Sequence, residues 1–224
     1  SYEYADHERF IDRGIPTADG EPVERFEKIV FGDEDQNLQT LTANIMRANV
    51  SHMLSDTSKL NISVLSSDYE KMYQNLYAAA YDAETNVVTM DGYYDPTERE
   101  NFMMSANLVS ELDFGGMKHT LLVGTEVIDT QNKNTRYDSY WITSGSDKES
   151  FIVTRPLDFS VTNLGVATAF DFATKLKSRT ESDIAVSSFY VQDQIEVSDK
   201  VLLMLGGRMA VSYTHLRAHE TSKH

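Results

Sequence analysis

Two runs of strict alternation, joined by a Ser-Asp-Lys turn, fill Ser187–Arg208 (SSFYVQDQIEVSDKVLLMLGGR) and constrain the fold more than any other part of the chain. Phe189, Val191, Ile195 and Val197 point to one side; Tyr190, Gln192, Gln194 and Glu196 point to the other. Successive side chains on a strand leave opposite faces, so a period of two makes a sheet with one apolar and one polar face. A soluble sandwich and a membrane barrel both meet that condition.

The order of connections separates the two. Residues 41–54 (LTANIMRANVSHML) alternate with Met46, Ala48, Val50 and Leu54 on one side, and residues 60–72 return after a short turn at 55–59. Residues 101–114 (NFMMSANLVSELDF) place Phe102, Met104, Ala106, Leu108, Leu112 and Phe114 on one side and Ser105, Asn107, Glu111 and Asp113 on the other. Gly115-Gly116 suits a two-residue turn with positive φ, and residues 117–130 return. Short turns are expected near 55–59, 115–116 and 198–200; long loops are expected near 10–40, 73–98 and 131–183. Strict short–long alternation has no cause in a soluble domain. In an outer-membrane barrel the short turns face the periplasm and the long loops face outside. The predicted fold is all-β: an antiparallel meander of about seven strands forming part of a transmembrane outer-membrane β-barrel. Phe102, Phe114, Phe189 and Tyr190 fall near strand ends, as interfacial girdles require.

Composition is compatible with this reading. The 224 residues are 41% hydrophobic and contain no apolar run long enough for a transmembrane helix. A barrel strand needs only about 10 alternating residues. There are no cysteines, which excludes disulfides and thiolate metal sites. The net charge of −15 argues against nucleic acid as a partner, because phosphate binding needs a basic surface. No HExxH, Walker A, GxSxG or GxGxxG pattern is present, so no enzyme is expected. Gly32–Asn37 has acids at calcium-loop spacing but lacks the sixth-position glycine and the twelfth-position glutamate, where Asn44 stands, so no metal site is expected. Asn49-Val-Ser and Asn61-Ile-Ser match the glycosylation sequon but lie inside expected strands.

The last residues read differently. Residues 211–224 (VSYTHLRAHETSKH) hold three of the six histidines and show no alternation past Arg208. VSYTHLRAHET resembles the conceptual translation of a sequencing adapter, so residues 1–210 are expected to be a partial barrel and 211–224 a non-native tail. His215 and His219 are therefore not read as a metal pair. The pattern around Ser1 is that of a strand interior, so truncation at both ends is expected.

Several segments carry a family resemblance: Tyr190–Gln194 (YVQDQ) with Gly206 and Arg208, His119–Gly124 (HTLLVG), Asp12–Pro16 (DRGIP) followed by Phe31-Gly32-Asp33, and Tyr73-Gln74-Asn75. Over about residues 1–209 the chain resembles the barrel portion of TonB-dependent siderophore receptors, most closely the ferric-catecholate group. The resemblance implies a barrel of about 22 strands around a plug domain. It also implies a location in the outer membrane of a Gram-negative bacterium, contact with outer-membrane lipid, and uptake of a ferric siderophore as transported ligand, without a cofactor. Coupling to the TonB-ExbB-ExbD complex would run through a plug that this chain is expected to lack. Catecholate complexes are anionic and aromatic, so Arg and aromatic side chains in the loops suit them. The candidates are Arg13, Tyr94, Tyr137, Tyr140, Trp141 and Arg155. The alternatives are another outer-membrane barrel, for glycans, cobalamin or porin-like diffusion, and a soluble β-sandwich binding module.

Overall fold

The computed structural model describes residues 1–33, 35–153, 170–172 and 175–220. In chain order the strands are β1 (Tyr2–Phe10), β2 (Thr17–Ala18), β3 (Glu21–Pro22), β4 (Leu38–Ser55), β5 (Ser58–Asp82), β6 (Val87–Phe114), β7 (Met117–Asp138), β8 (Tyr140–Trp141), β9 (Glu149–Ile152), β10 (Phe170–Asp171), β11 (Leu176–Ser198) and β12 (Val201–Glu220). The main sheet has the order β1-β4-β5-β6-β7-β11-β12, with β9 added against β6. Neighbours on this path pair antiparallel, as a meander requires. The sheet is open, and its outer strands are β1 and β12.

The three short turns lie where the alternation predicts them: Ser55 to Ser58, Gly115-Gly116, and Ser198 to Val201. Gly115 and Gly116 have φ of 64° and 78°, a pair of left-handed residues that matches the right-handed twist of the strands they join. Register then carries the faces across the sheet. Leu60 opposes Leu108 and Val64 opposes Met104; Leu108 opposes Val123, and Val123 opposes Val191. On the other face runs a hydrogen-bonded polar ladder. Ser51 Oγ donates to Asn61 Oδ1 (2.5 Å) and Asn61 Nδ2 to Asn107 Oδ1 (3.1 Å). Higher up, Asn101 Nδ2 donates to Ser67 Oγ (3.1 Å). On β6 the apolar face extends from Phe114 to Phe102, twelve residue steps apart. At ~3.3 Å per residue and a tilt of about 45°, that spans roughly 28 Å, the height of a barrel's lipid-facing band. Above it the same face turns acidic, with Asp68, Glu70, Glu98, Glu100 and Asp129.

The family-like motifs meet as clamps between β7, β11 and β12. His119 Nδ1 lies 2.8 Å from Asp193 Oδ2. Arg208 donates to Glu126 Oε1 (2.5 Å) and Ser188 Oγ (2.9 Å), and its guanidinium stands 5.8 Å from the Tyr190 ring. Tyr190 lies across Gly124, where a Cβ would come within 2.3 Å of the ring.

Two expectations need correction. Residues 73–98 are not a long loop: β5 and β6 continue as one hairpin to a tight turn after Asp82. Asp82 closes that turn by accepting bonds from Glu84 N (2.9 Å) and Thr85 Oγ1 (2.7 Å). Pro96 therefore stands inside a strand. It pairs with Met72 on the β5 side, and the β6–β7 ladder skips Asp95 and Pro96, as a residue without an N–H demands. The third long loop is shorter than 131–183, because β7 runs to Asp138 and β11 begins at Leu176. Beyond Arg208, β12 continues to Glu220, pairing with β11 as far as Ser178. Main-chain pairing is indifferent to side-chain pattern, so this continuation does not bear on the tail expected at 211–224.

The fully buried apolar side chains cluster above the belt rather than in it. Phe26, Ile29 and Phe31 from the first long loop join Leu76, Val88 and Met90 of the hairpin and Trp141, Val153 and Phe172 of the last loop. Arg25 ties this lobe together by donating to Tyr81 OH and Asn86 Oδ1, while Asn86 Nδ2 donates to the Val153 carbonyl. Burying one such aromatic or aliphatic side chain contributes about 1.5–3 kcal/mol, so the outer loops form a packed body.

Candidate functional site

The opposite face of the same hairpin tip carries the strongest concentration of unusual polar chemistry among the described residues. Alternation brings Tyr73, Asn75 and Tyr77 of β5 to that face, and their partners on β6 are Asp95, Tyr93 and Asp91. Cross-strand and diagonal neighbours on one face lie within reach of aromatic rings. Tyr73 and Tyr93 stack at 5.9 Å with 15° between planes, and Tyr77 meets Tyr93 edge-on at 6.1 Å.

Two arginines converge on these rings. Arg13, from the first long loop, donates through Nη1 to Tyr93 OH (2.8 Å) and Tyr73 OH (3.4 Å), with its guanidinium 5.2 Å from the Tyr77 ring. Arg136, from β7, has its guanidinium 4.0 Å from the Tyr93 centroid and donates to Asp95 Oδ2 at 3.3 Å. Beneath them Asn75 is fully buried. Its Oδ1 and Nδ2 have no hydrogen-bond partner; nor do Asp95 Oδ1 and Arg136 Nε. Buried polar groups are normally paired, and one left unpaired costs about 1–3 kcal/mol. Four such atoms in one cluster single it out as the candidate site. Planar aromatic faces, two permanent cations and amide hydrogen-bonding groups together suit a flat, electron-rich anion.

Burial raises the Asp95 carboxyl above its ordinary value, and the nearby Arg136 and Lys71 only partly offset this. Burial also raises the Tyr77 phenol, with Asp91 adding to the effect. The hydrogen bond to Tyr73 raises Arg13, so it stays charged. A carboxyl raised in the folded state holds a proton that the unfolded chain has released. Its contribution therefore falls as pH rises from the ordinary carboxylate value through the raised one. Asp95→Asn should flatten this part of the stability–pH profile, measured by urea unfolding in detergent at a series of pH values. An unchanged slope would remove Asp95 as its source.

Of the six residues expected from the loops, Arg13 lies in this cluster. Tyr94 and Tyr137 stack on each other at 5.7 Å on the opposite face of the hairpin. Tyr140 receives the Lys175 ammonium at 4.4 Å from its ring centre. Trp141 is fully buried in the lobe core, with Phe151 edge-on at 5.8 Å. Arg155 lies outside the described residues. Tyr73, Asn75, Tyr77, Tyr93 and Arg136 are not among the candidates: with 73–98 and 131–183 read as loop, nothing assigns these residues a common face. The alternating Tyr73/Asn75/Tyr77 and Asp91/Tyr93/Asp95 is the signal that could have found them.

No protein-family model matches the chain, and no curated protein matches it in sequence. Solved structures do. The ferric-catecholate import receptor Fiu from E. coli K12, in its open form, superposes with a TM-score of 0.66 at 14% identity over 96% of this chain and 34% of Fiu. FpvA of P. aeruginosa, bound to heterologous pyoverdine, gives 0.72 at 14% identity over 99% of this chain and 29% of FpvA. BauA, the ferric preacinetobactin receptor from Acinetobacter baumannii, gives 0.62 at 16% identity over 92% and 30%. The chain spans about a third of the length of these receptors. Its fold is that of a segment of a siderophore-receptor barrel.

Proposed function

We propose that this chain is a barrel segment, residues 1–210, of an outer-membrane receptor for TonB-dependent uptake of ferric siderophores, of the catecholate type, followed by a non-native tail, 211–224. The observation that carries the reading is the Arg13–Arg136 pair around the Tyr73–Tyr93 stack, on the polar face just beyond the apolar belt. On this reading the apolar face meets lipid and the polar ladder faces the barrel lumen, so the cluster sits at the outer mouth of the lumen. Its rings stack on the planar catecholate arms and the two guanidiniums meet the negative charge of the ferric complex. Release and passage belong to the plug and to the TonB-ExbB-ExbD complex that acts on it.

The test is binding of iron(III) tris-(2,3-dihydroxybenzoate) to the full chain refolded in detergent micelles, followed by quenching of Trp141. Saturable quenching is expected. Losing a charge-assisted hydrogen bond costs about 1.5–3 kcal/mol, so Arg13→Ala should weaken binding roughly tenfold or more. Saturable binding of a ferric hydroxamate instead would keep the receptor and remove the catecholate preference. No saturable binding, or binding untouched by both Arg13→Ala and Arg136→Ala, would remove the site.

A further inference from the structure

We infer that Asn37 is the positioning residue that holds Arg13 over the tyrosine cluster, acting as a side-chain rung of the sheet. The inference deepens the proposed reading in one respect only: it takes Arg13 as part of the ligand site.

Asn37 is fully buried immediately before β4, and every hydrogen-bonding atom of its carboxamide is used. Nδ2 donates to the Ile11 carbonyl (3.0 Å) and the Leu76 carbonyl (2.9 Å). Oδ1 accepts from Leu76 N (3.1 Å) and Asp33 N (3.1 Å). The β4–β5 ladder ends at Leu38 opposite Gln74. Two residues further along β5, the Asn37 amide takes both the N–H and the C=O of Leu76, as an opposing peptide unit would. Its own main chain closes the loop, since Ile11 N donates to Asn37 O (2.8 Å) and Asn37 N to Asp33 O (2.7 Å). Both ends of the 12–36 loop are thus fixed to one point on β5. Arg13 leaves that point two residues after Ile11.

Gly32 belongs to the same device. A Cβ there would lie 2.3 Å from Asn37 Nδ2 and 2.8 Å from its Cγ, so a side chain would expel the carboxamide. No other residue type replaces Asn37. Aspartate has no donor for two carbonyls, glutamine carries its amide one methylene too far, and leucine leaves four main-chain groups of a buried segment unpaired. The two family-like stretches Asp12–Pro16 and Phe31–Asp33 now have a common explanation. One carries the arginine; the other houses the amide that places it.

The chain has no cysteine, so two nitroxide labels can be placed at will. Thr17 in the loop and Ala83 at the hairpin tip are both exposed. With Thr17→Cys and Ala83→Cys labelled and the full chain in detergent micelles, electron-spin distance measurements should give one narrow distribution. Asn37→Ala should broaden it severalfold while Trp141 emission stays that of a buried indole, because the lobe core remains packed. Iron(III) tris-(2,3-dihydroxybenzoate) should then bind Asn37→Ala as weakly as it binds Arg13→Ala, and adding Arg13→Ala should weaken it no further. If Asn37→Ala does not refold, Gly32→Ala displaces the same amide and serves as the test variant. A distribution that stays narrow overturns the inference, and so does broadening with unchanged affinity or with additive losses. If the parent chain fails to bind the iron complex yet Asn37→Ala broadens the distribution, the placement of Arg13 stands and the catecholate reading falls.

Discussion

Gly124→Val should prevent the chain from refolding in detergent micelles. Elsewhere on a strand this exchange favours the fold, since valine suits the pleated surface and glycine carries an entropic penalty of about 0.5–1 kcal/mol. At this position the sign reverses. Gly124 is buried opposite Tyr190 and Asn107, and an added Cβ would lie 2.3 Å from Tyr190 Cζ and 2.5 Å from Cε2 and Oη. The ring cannot swing aside without leaving Arg208, which also holds Glu126 and Ser188. Overpacking of this kind costs about 1–3 kcal/mol for a methyl-sized intrusion, and valine adds two more carbons. Gly124→Ala should therefore lower the urea midpoint measurably, and Tyr190→Ala introduced beside it should restore the midpoint by removing the obstacle. Equal midpoints for Gly124→Ala and the parent, with Tyr190 in place, would show that the ring does not constrain this position.

The second large effect concerns solvent. Diluted from denaturant into plain buffer, the chain should aggregate; diluted into zwitterionic detergent, it should give a monodisperse particle with a β-sheet circular-dichroism spectrum. The apolar face exposes Phe114 (76%), Met209 (70%), Met46 (61%), Val50 (58%) and Leu54 (56%) in a continuous band across several strands. Soluble monomers rarely show apolar patches beyond a few hundred Å². The free edges of β1 and β12 add rows of unpaired N–H and C=O groups that template association. Size-exclusion chromatography with light scattering reads the result. A stable monomer in plain buffer would mean that something other than lipid or detergent covers this face.

Much of the fold was legible because a period of two needs no long-range information. The turns at 55–59, 115–116 and 198–200 and the face of each residue in 101–114 follow from alternation alone. What misled was punctuation. Gly92 and Pro96 read as loop markers, yet each has a sheet role. A Cβ on Gly92 would meet Leu76 Cδ2 at 2.6 Å and the Asn75 carbonyl at 2.8 Å, and Pro96 fills a gap in the β6–β7 ladder. Once those residues became loop, the aromatics among them lost their faces, and the cluster around Tyr93 became invisible as a cluster. Trp141 shows the converse case. A lone tryptophan in a polar stretch suggests a ligand contact, but it is the centre of a core assembled from three distant segments, which no local pattern records.

The register of the β5–β6 hairpin has an evolutionary consequence. From Ser58 opposite Ser110 to Ala78 opposite Met90 its rungs run without a shift. The parity that turns Leu60 to the apolar side also turns Leu76 into the lobe core, and the parity of Asn61 is that of Asn75. A single-codon insertion in β5 between the belt and the tip would turn Tyr73, Asn75 and Tyr77 to the core side and Leu76 to the cluster side in one step. Gains or losses of two codons, matched on both strands, would only raise or lower the tip. Descendants of such a hairpin can therefore drift in height in quanta of two residues, about 6.6 Å of strand each, while keeping which side faces what.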